Sequence, residues 1–206
     1  NKKLRAVFEW ARGHAKSTHF DIMIPLWLKA KDELNVMILV GKSEDNAMTL
    51  LGDLQAELQF NQRYINDFGE QINIGSWEEG RFITKDNKAF FALGRGQSPR
   101  GLRYRSSRPD YIVVDDLDDD ELVHNESRVS KIIDWILEAL FNTMDMGRGR
   151  FVMVGNRIHK NSVLANIAKL DGIFHTVVNA MDERGKPTWH EKYSVDEINE
   201  VIKTIG

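Results

Sequence analysis

The chain of 206 residues predicts an α/β fold, a mostly parallel central sheet flanked by helices. Three observations lead there. Continuous apolar runs of strand length recur along the chain, "NVMILVG", "YIVVD" and "RFVMVG" among them. Segments with helical apolar spacing alternate with these runs. Strands that are apolar on both sides belong to a sheet covered on both faces, the arrangement of parallel strands joined by helical crossovers.

Taken in order, "LRAVFEW" (4–10) alternates like a strand. The next segment, "HFDIMIPLWLKA" (19–30), reads as a helix, and Pro25 inside it predicts a kink or a lost hydrogen bond. "NVMILVG" (35–41) is a buried strand, and "SEDNAMTLLGDLQAELQF" (43–60) is a helix with Ser43 as N-cap. "GRFIT" (80–84) and "AFFALG" (89–94) are short strands joined by a turn around Asp86 and Asn87. "YIVVD" (111–115) is a further buried run. In "NESRVSKIIDWILEALFNTM" (125–144), Val129, Ile132, Ile133, Ile136, Leu137 and Leu140 share one helical stripe. "RFVMVG" (150–155) is a strand, "NSVLANIAKL" (161–170) a short helix and "IFHTVVNAM" (173–181) a final strand. Phe90, Phe91 and Trp135 fall in apolar stripes and are assigned to the core. From residue 182 the texture changes to a polar turn and one more helix. The expected division is a domain of residues 1–181 followed by an appendage or linker, 182–206.

Composition removes several classes of function. With no cysteine there is neither a disulfide framework nor a thiolate metal site. No apolar run approaches the roughly 20 residues of a membrane span, and no signal peptide is evident. His124, His159, His175 and His190 lack paired ligand spacing, which argues against zinc. "GRGQSPRG" resembles a dinucleotide loop only superficially, because it precedes a strand instead of opening a helix.

The net charge of −3 conceals a segregation of charge. Residues 95–108, "RGQSPRGLRYRSSR", carry five arginines and no acid, whereas 115–121, "DDLDDDE", carry six acids in seven positions. The two runs flank the strand "YIVV".

Between the first strand and the first helix lies "WARGHAKST" (10–18). A strand, a small-residue turn and a helix opening on Lys-Ser is a way of holding a polyphosphate, although G-x-x-x-x-G-K-[ST] would place Gly at Trp10 and Ala15. Ligands of open α/β sheets sit beyond the carboxyl ends of the strands. There "WARGHAKST", the "DD" after "YIVV" and the "GNR" after "FVMV" converge. With a magnesium-bound nucleoside triphosphate, each has a role. Gly13 and Ala15 let the backbone approach, and the helix start offers free N–H groups. Lys16 bridges the β- and γ-phosphates, Ser17 and Asp115 hold Mg²⁺, and Asp116 polarises the attacking water. The nucleotide-binding stretch is thus Arg12, Gly13, His14, Ala15, Lys16, Ser17 and Thr18, with the His14 side chain read as facing solvent. The fold class becomes a P-loop NTPase of the RecA-like (ASCE) kind.

These motifs resemble the large subunit of tailed-phage terminases, the motors that package viral DNA. The resemblance covers most of the chain. Its carriers are "ARGHAKST", like a degenerate Walker A motif with an internal arginine; "PLW"; and "LGRGQSPRGLRYRSSRPDYIVVDDLDDDE", a run feeding a Walker B strand. They continue in "VGNRIHKNSVL", like the coupling motif, and "DERGKPTWHEKYSVDEI", like the passage out of the motor domain. The resemblance implies ATP and Mg²⁺ as cofactors and hydrolysis coupled to movement of double-stranded DNA into a procapsid. It implies Arg12 at the γ-phosphate, Asn156 as coupling residue, and one of Arg100, Arg103 or Arg105 as a finger reaching a neighbour's nucleotide. For those three arginines, DNA phosphate contact and plain solvation stay open.

The expected partners are double-stranded DNA, other copies of the chain in a ring, a portal protein and a small terminase subunit, with no membrane. The expected setting is the cytoplasm of an infected bacterium. Two departures from the family pattern stand out. Walker B ends Asp-Asp instead of Asp-Glu, so either Asp116 or Glu121 activates the water, and Asp116 is preferred because a strand end fixes it. The acids after residue 182 are spaced as surface charges, so no nuclease is expected from this chain. A helicase-like ATPase or a non-catalytic nucleotide-binding module are the alternatives. The acidic balance predicts DNA contact that is local, weak and sensitive to salt.

Overall fold

The structure, a computed structural model, describes residues 3–205. Its strands are β1 (Leu4–Trp10), β2 (Val36–Gly41), β3 (Ile72–Glu78), β4 (Arg81–Thr84), β5 (Ala89–Gly94), β6 (Tyr111–Asp115), β7 (Arg150–Gly155) and β8 (Phe174–Val178). They form one sheet in the order β3-β4-β5-β2-β6-β7-β1-β8. From β5 to β8 every neighbouring pair is parallel, while β3 and β4 add an antiparallel edge. The chain is an α/β protein built on a mostly parallel sheet.

The helices are α1 (Ile24–Ala30), α2 (Glu44–Phe60), α3 (Gln62–Phe68), α4 (Asp120–Val123), α5 (Glu126–Trp135), α6 (Phe141–Thr143), α7 (Val163–Ile167) and α8 (Val195–Ile205). Strand alternation divides the core into two layers. Ile38, Val40, Ile112, Val114 and Met153 pack with Val129 of α5, Ile136, Leu140 and the apolar side of α7. Met37, Leu39, Val113, Val152 and Val154 pack with Phe20, Leu28 and the α2 leucines. Leu51, Leu54 and Leu58 are fully buried, and each contributes about 2 kcal/mol by that burial. Ser43 caps α2 as expected, accepting from the Asn46 N–H at 3.2 Å. Among the described residues no helix is long and apolar enough to cross a membrane.

Three elements differ from their sequence reading. β3 carries no buried run: it is an edge strand with Gly75 at its centre and Ile74 almost fully exposed, so its pattern is faint. α3 was likewise unmarked by an apolar stripe, and only Tyr64 of it is buried. The helix expected over 125–144 is continuous but widens into a π-helical turn at Ile136–Leu140 between α5 and α6.

The irregularity at Pro25 takes a specific form. A π-helical turn, Thr18–Met23, precedes α1, and in it the Ile24 N–H donates to the carbonyl of His19, five residues back. In that pattern Phe20 would need the N–H of residue 25, which proline lacks. The buried Tyr111 hydroxyl at the start of β6 donates to the Phe20 carbonyl instead, at 2.7 Å. The helix that follows the turn after β1 is thereby tied to β6.

Candidate functional site

β1, β6 and β7 are parallel, so their carboxyl ends share one rim of the sheet. After Trp10 the chain turns sharply, with Gly13 at φ 76° and Ala15 at φ 56°. Two left-handed residues aim the helix start back at the sheet, and the His19 N–H closes the first turn on the Ala15 carbonyl at 3.0 Å. Glycine adopts this backbone freely, whereas alanine pays about 1 kcal/mol for it.

Lys16 and Ser17, first in the helix, meet the end of β6. The Ser17 hydroxyl donates to Asp115 Oδ2 at 2.5 Å. Lys16 Nζ lies 2.6 Å from Asp116 Oδ2 and 3.7 Å from Asp115 Oδ1. Asp115 is 1% exposed, and its Oδ1 is buried without a hydrogen-bond partner. Asp116 is held in the left-handed region, φ 42°, which Asp tolerates better than most residues, and its N–H donates to Val154 O of β7 at 3.2 Å. Gly155 at the end of β7 admits this approach, since a Cβ there would meet Leu164 at 2.9 Å and Asp116 Oδ1 at 3.5 Å.

Behind Asp115 lies a residue that sequence reasoning missed. Asp21 is 1% exposed, and neither carboxyl oxygen has a hydrogen-bond partner. Burial, and then the charge of Asp115, push its pKa up to about 9. Asp21 therefore holds its proton at neutral pH, facing Asp115. The available signal was an acid set among apolar residues in "HFDIMIPLW".

A polar cleft of about 330 Å³ adjoins the carboxylates, and Arg12, Lys42, Asn46, Asp116 and Asn156 line it. Arg12 and Asn156, predicted from separate motifs, thus share a cavity with Asp116. The turn carrying Asn156 is pinned by its neighbour: Arg157 pairs with the buried Glu9 of β1, which also takes His175 Nε2 of β8 at 2.7 Å.

No protein-family model and no curated protein matches the chain. Among solved structures it is similar to viral DNA-packaging ATPases. The N-terminal domain of the DNA packaging ATPase from bacteriophage phi29 aligns with TM-score 0.45 and 18% identity, over 87% of this chain and 93% of that one. A chain of the bacteriophage Phi-29 genome packaging motor assembly aligns with TM-score 0.46 and 14% identity over 96% of this chain. A chain of the Phi-28 DNA packaging motor aligns with TM-score 0.43 and 10% identity over 95% of this chain. The chain spans 61% and 64% of the length of those two motor chains. At such identities and TM-scores no property of this chain is argued from the likeness.

The remaining predicted residues fall into two groups. Glu121 points into solvent and pairs with Arg128, so the acidic run supplies only Asp115 and Asp116 to Lys16. Asp118 accepts from the Val163 and Leu164 N–H groups, Asp119 caps α4 while bound to Arg95 at 2.8 Å, and both, with Asp120, also line the cleft. Arg95, first of the basic run, therefore braces the acidic loop. Arg105 donates to Asn87 Oδ1 at 2.8 Å, just before β5 begins and hence at the opposite rim. Arg100 and Arg103 line a separate pocket of about 390 Å³ with Arg108, Asn142 and Thr143. None of Arg100, Arg103 and Arg105 reaches the chain's own Lys16.

One reading is corrected. His14 does not face solvent: it is 6% exposed, bonded through Nε2 to Thr188 Oγ1 at 3.1 Å and stacked on Tyr193. The cause is the C-terminal segment, which folds back onto the loop. Lys192 Nζ and the Tyr193 hydroxyl donate to the Gly13 carbonyl at 2.9 and 3.1 Å.

Proposed function

We propose that the chain is a magnesium-dependent ATPase, the motor domain of a DNA-packaging terminase. The observation that carries the reading is the junction of Lys16, Ser17, Asp115 and Asp116, with Lys16 Nζ bonded to a carboxylate 100 positions away in sequence. The motif order described above supplies the DNA-packaging part, with double-stranded DNA, a ring of identical subunits, a portal protein and a small terminase subunit as partners in the host cytoplasm.

The donor set suits a magnesium-bound triphosphate. Asp115 Oδ1 is a buried carboxyl oxygen without a hydrogen bond, 3.7 Å from the Lys16 ammonium, and Ser17 adds a hydroxyl beside it. Among the described residues no cluster of three acidic, His or Cys side chains forms a metal cage, which fits a cation held mainly by phosphate and water. When bound, Mg²⁺ neutralises charge on the β- and γ-phosphates. Ser17 and Asp115 would hold it. Lys16 passes from Asp116 to the phosphates, and Asp116, so released, orients a water toward the γ-phosphorus and takes its proton. The water oxygen bonds to phosphorus as the P–O bond to the β–γ bridging oxygen breaks, with ADP as leaving group. Arg12 contributes positive charge from the cleft side, and Asn156 senses the change at Asp116 across the shared cavity.

The test is ATP hydrolysis by the chain against Lys16→Ala and Asp116→Asn. Both variants are expected to lose turnover. Retention of parental rates by both would remove the site assignment, and nucleotide binding without turnover in the parent would leave a binding module.

A further inference from the structure

The loop from Ala11 to His14 separates two cavities of opposite chemistry. On the flank of β6 and β7 lies the polar cleft with Asp116 and Asn156. On the flank of β8 lies a second cavity of about 480 Å³, walled by Gly13, His14, Ala180, Tyr193, Ile198 and Val201. Arg12 lines both. Ala180 follows β8, and the Ala11 N–H donates to Val178 O at 2.9 Å, so this pocket begins where β8 ends. Its size is that of a small-molecule site, about 300–1,000 Å³, and its walls are mostly carbon.

A nucleoside triphosphate has the same polarity as this pair of cavities. Its tail is highly charged; its base is flat, aromatic and weakly polar. We propose that the second cavity takes the base and sugar of the nucleotide, so that the C-terminal segment completes the nucleotide site. The inference rests on the ATPase reading above and deepens it.

The walls are suited to this. The ring of Tyr193 stacks on His14 at 5.5 Å between centroids, offering an aromatic edge to a planar ligand. Glu197 also lines the pocket, and its carboxylate is fixed by the Ser194 N–H and hydroxyl at 2.8 and 2.7 Å. Glu197 is itself exposed, so this places one oriented acceptor at the solvent-facing rim of an apolar pocket, where it can meet an amino or ring N–H group of a base. The wall is rigidly joined to the phosphate loop, because Lys192 and Tyr193 both hold the Gly13 carbonyl.

The experiment compares ATP with inorganic tripolyphosphate, each with magnesium, by titration calorimetry on the full chain. Val201 is 55% exposed on α8 and lines the cavity from the C-terminal segment, so Val201→Trp occupies that space without altering a loop residue. Expected is a weakening of ATP binding by about tenfold or more, with tripolyphosphate binding unchanged and Val201→Phe intermediate. Unchanged ATP affinity in Val201→Trp overturns the proposal, and so does an equal loss for both ligands, which would mean an effect through the loop. A separate outcome tests the underlying reading: tripolyphosphate that fails to bind the parent, or binds Lys16→Ala as well as the parent, removes the phosphate loop and the base pocket with it.

Discussion

Ser17 and Asp115 lie 98 positions apart in sequence, yet the serine hydroxyl donates to the aspartate Oδ2 at 2.5 Å. The bond joins the first turn of a helix to the end of a strand two places away in the sheet, since β7 lies between β1 and β6. It leaves Asp115 Oδ1 buried and without a hydrogen bond, 3.7 Å from the Lys16 ammonium. Function and stability pull in different directions at this carboxylate.

Asp115→Asn separates them. Neutralising the side chain removes the proposed metal ligand, and turnover is expected to fall by about 10²-fold or more, by analogy with the loss of one oriented charge at other sites. The same change removes a negative charge facing Asp21 and keeps the shape. Thermal stability should therefore stay level or rise while steady-state hydrolysis collapses. A parallel fall in melting temperature would mean that Asp115 acts chiefly as structure.

Asp116 and Glu121 can be told apart directly. Asp116 bonds Lys16, whereas Glu121 meets only Arg128 in solvent. Glu121→Ala is expected to change the hydrolysis rate less than about twofold, since exposed pairs contribute ~0–1 kcal/mol and this one faces away from the lysine. Asp116→Asn should abolish most turnover. Equal losses from both would return Glu121 to the site.

The parts of this arrangement legible in sequence were those with a continuous physical signature. β2, β6 and β7 are buried on both faces and so are apolar throughout, and the helices between them keep their stripes. Lys16 and Ser17, opening the helix after β1, and Asp115 and Asp116, at the end of β6, announced themselves as polar groups placed beyond apolar strands. Two kinds of feature left no such trace. β3 is an edge strand, half wet, with nothing to repeat in its pattern. The burial of His14 depends on a contact with Thr188, 174 positions on, that no local rule encodes. Asp21 is intermediate: its apolar neighbours were a signal that went unread, and its role depends on β6 arriving behind it.

Asp21 gives a pH dependence with a definite sign. Its folded pKa is raised to about 9, while an unfolded aspartate titrates near about 4. Between those values the folded chain binds a proton that the unfolded chain has lost. This contribution is fully present below about pH 4 and is lost as pH rises through the folded value. Stability should decline from pH 6 toward pH 9. Asp21→Asn, which keeps the neutral shape, should flatten that decline and be the more stable protein at the alkaline end. Parallel melting curves for the two proteins across this range would show that Asp21 ionises normally.

Gly13 and Ala15 share a left-handed backbone but should respond oppositely to exchange. At Ala15 the side chain makes φ 56° unfavourable, so Ala15→Gly relieves strain and is expected to stabilise by about 0.5–1 kcal/mol, less the entropy glycine loses on folding. Gly13 has φ 76°, and a Cβ there would lie 2.1 Å from the Tyr193 hydroxyl, a distance no neighbour accommodates without moving. Gly13→Ala therefore adds backbone strain and forces Tyr193 off the loop, for an expected loss of about 2 kcal/mol or more. The displacement carries a second signature, because Tyr193 and Lys192 anchor α8 through the Gly13 carbonyl. Proteolysis near residues 186–194 should accelerate in Gly13→Ala and not in Ala15→Gly. If both variants melt and digest like the parent, the C-terminal segment does not rest on the loop in solution.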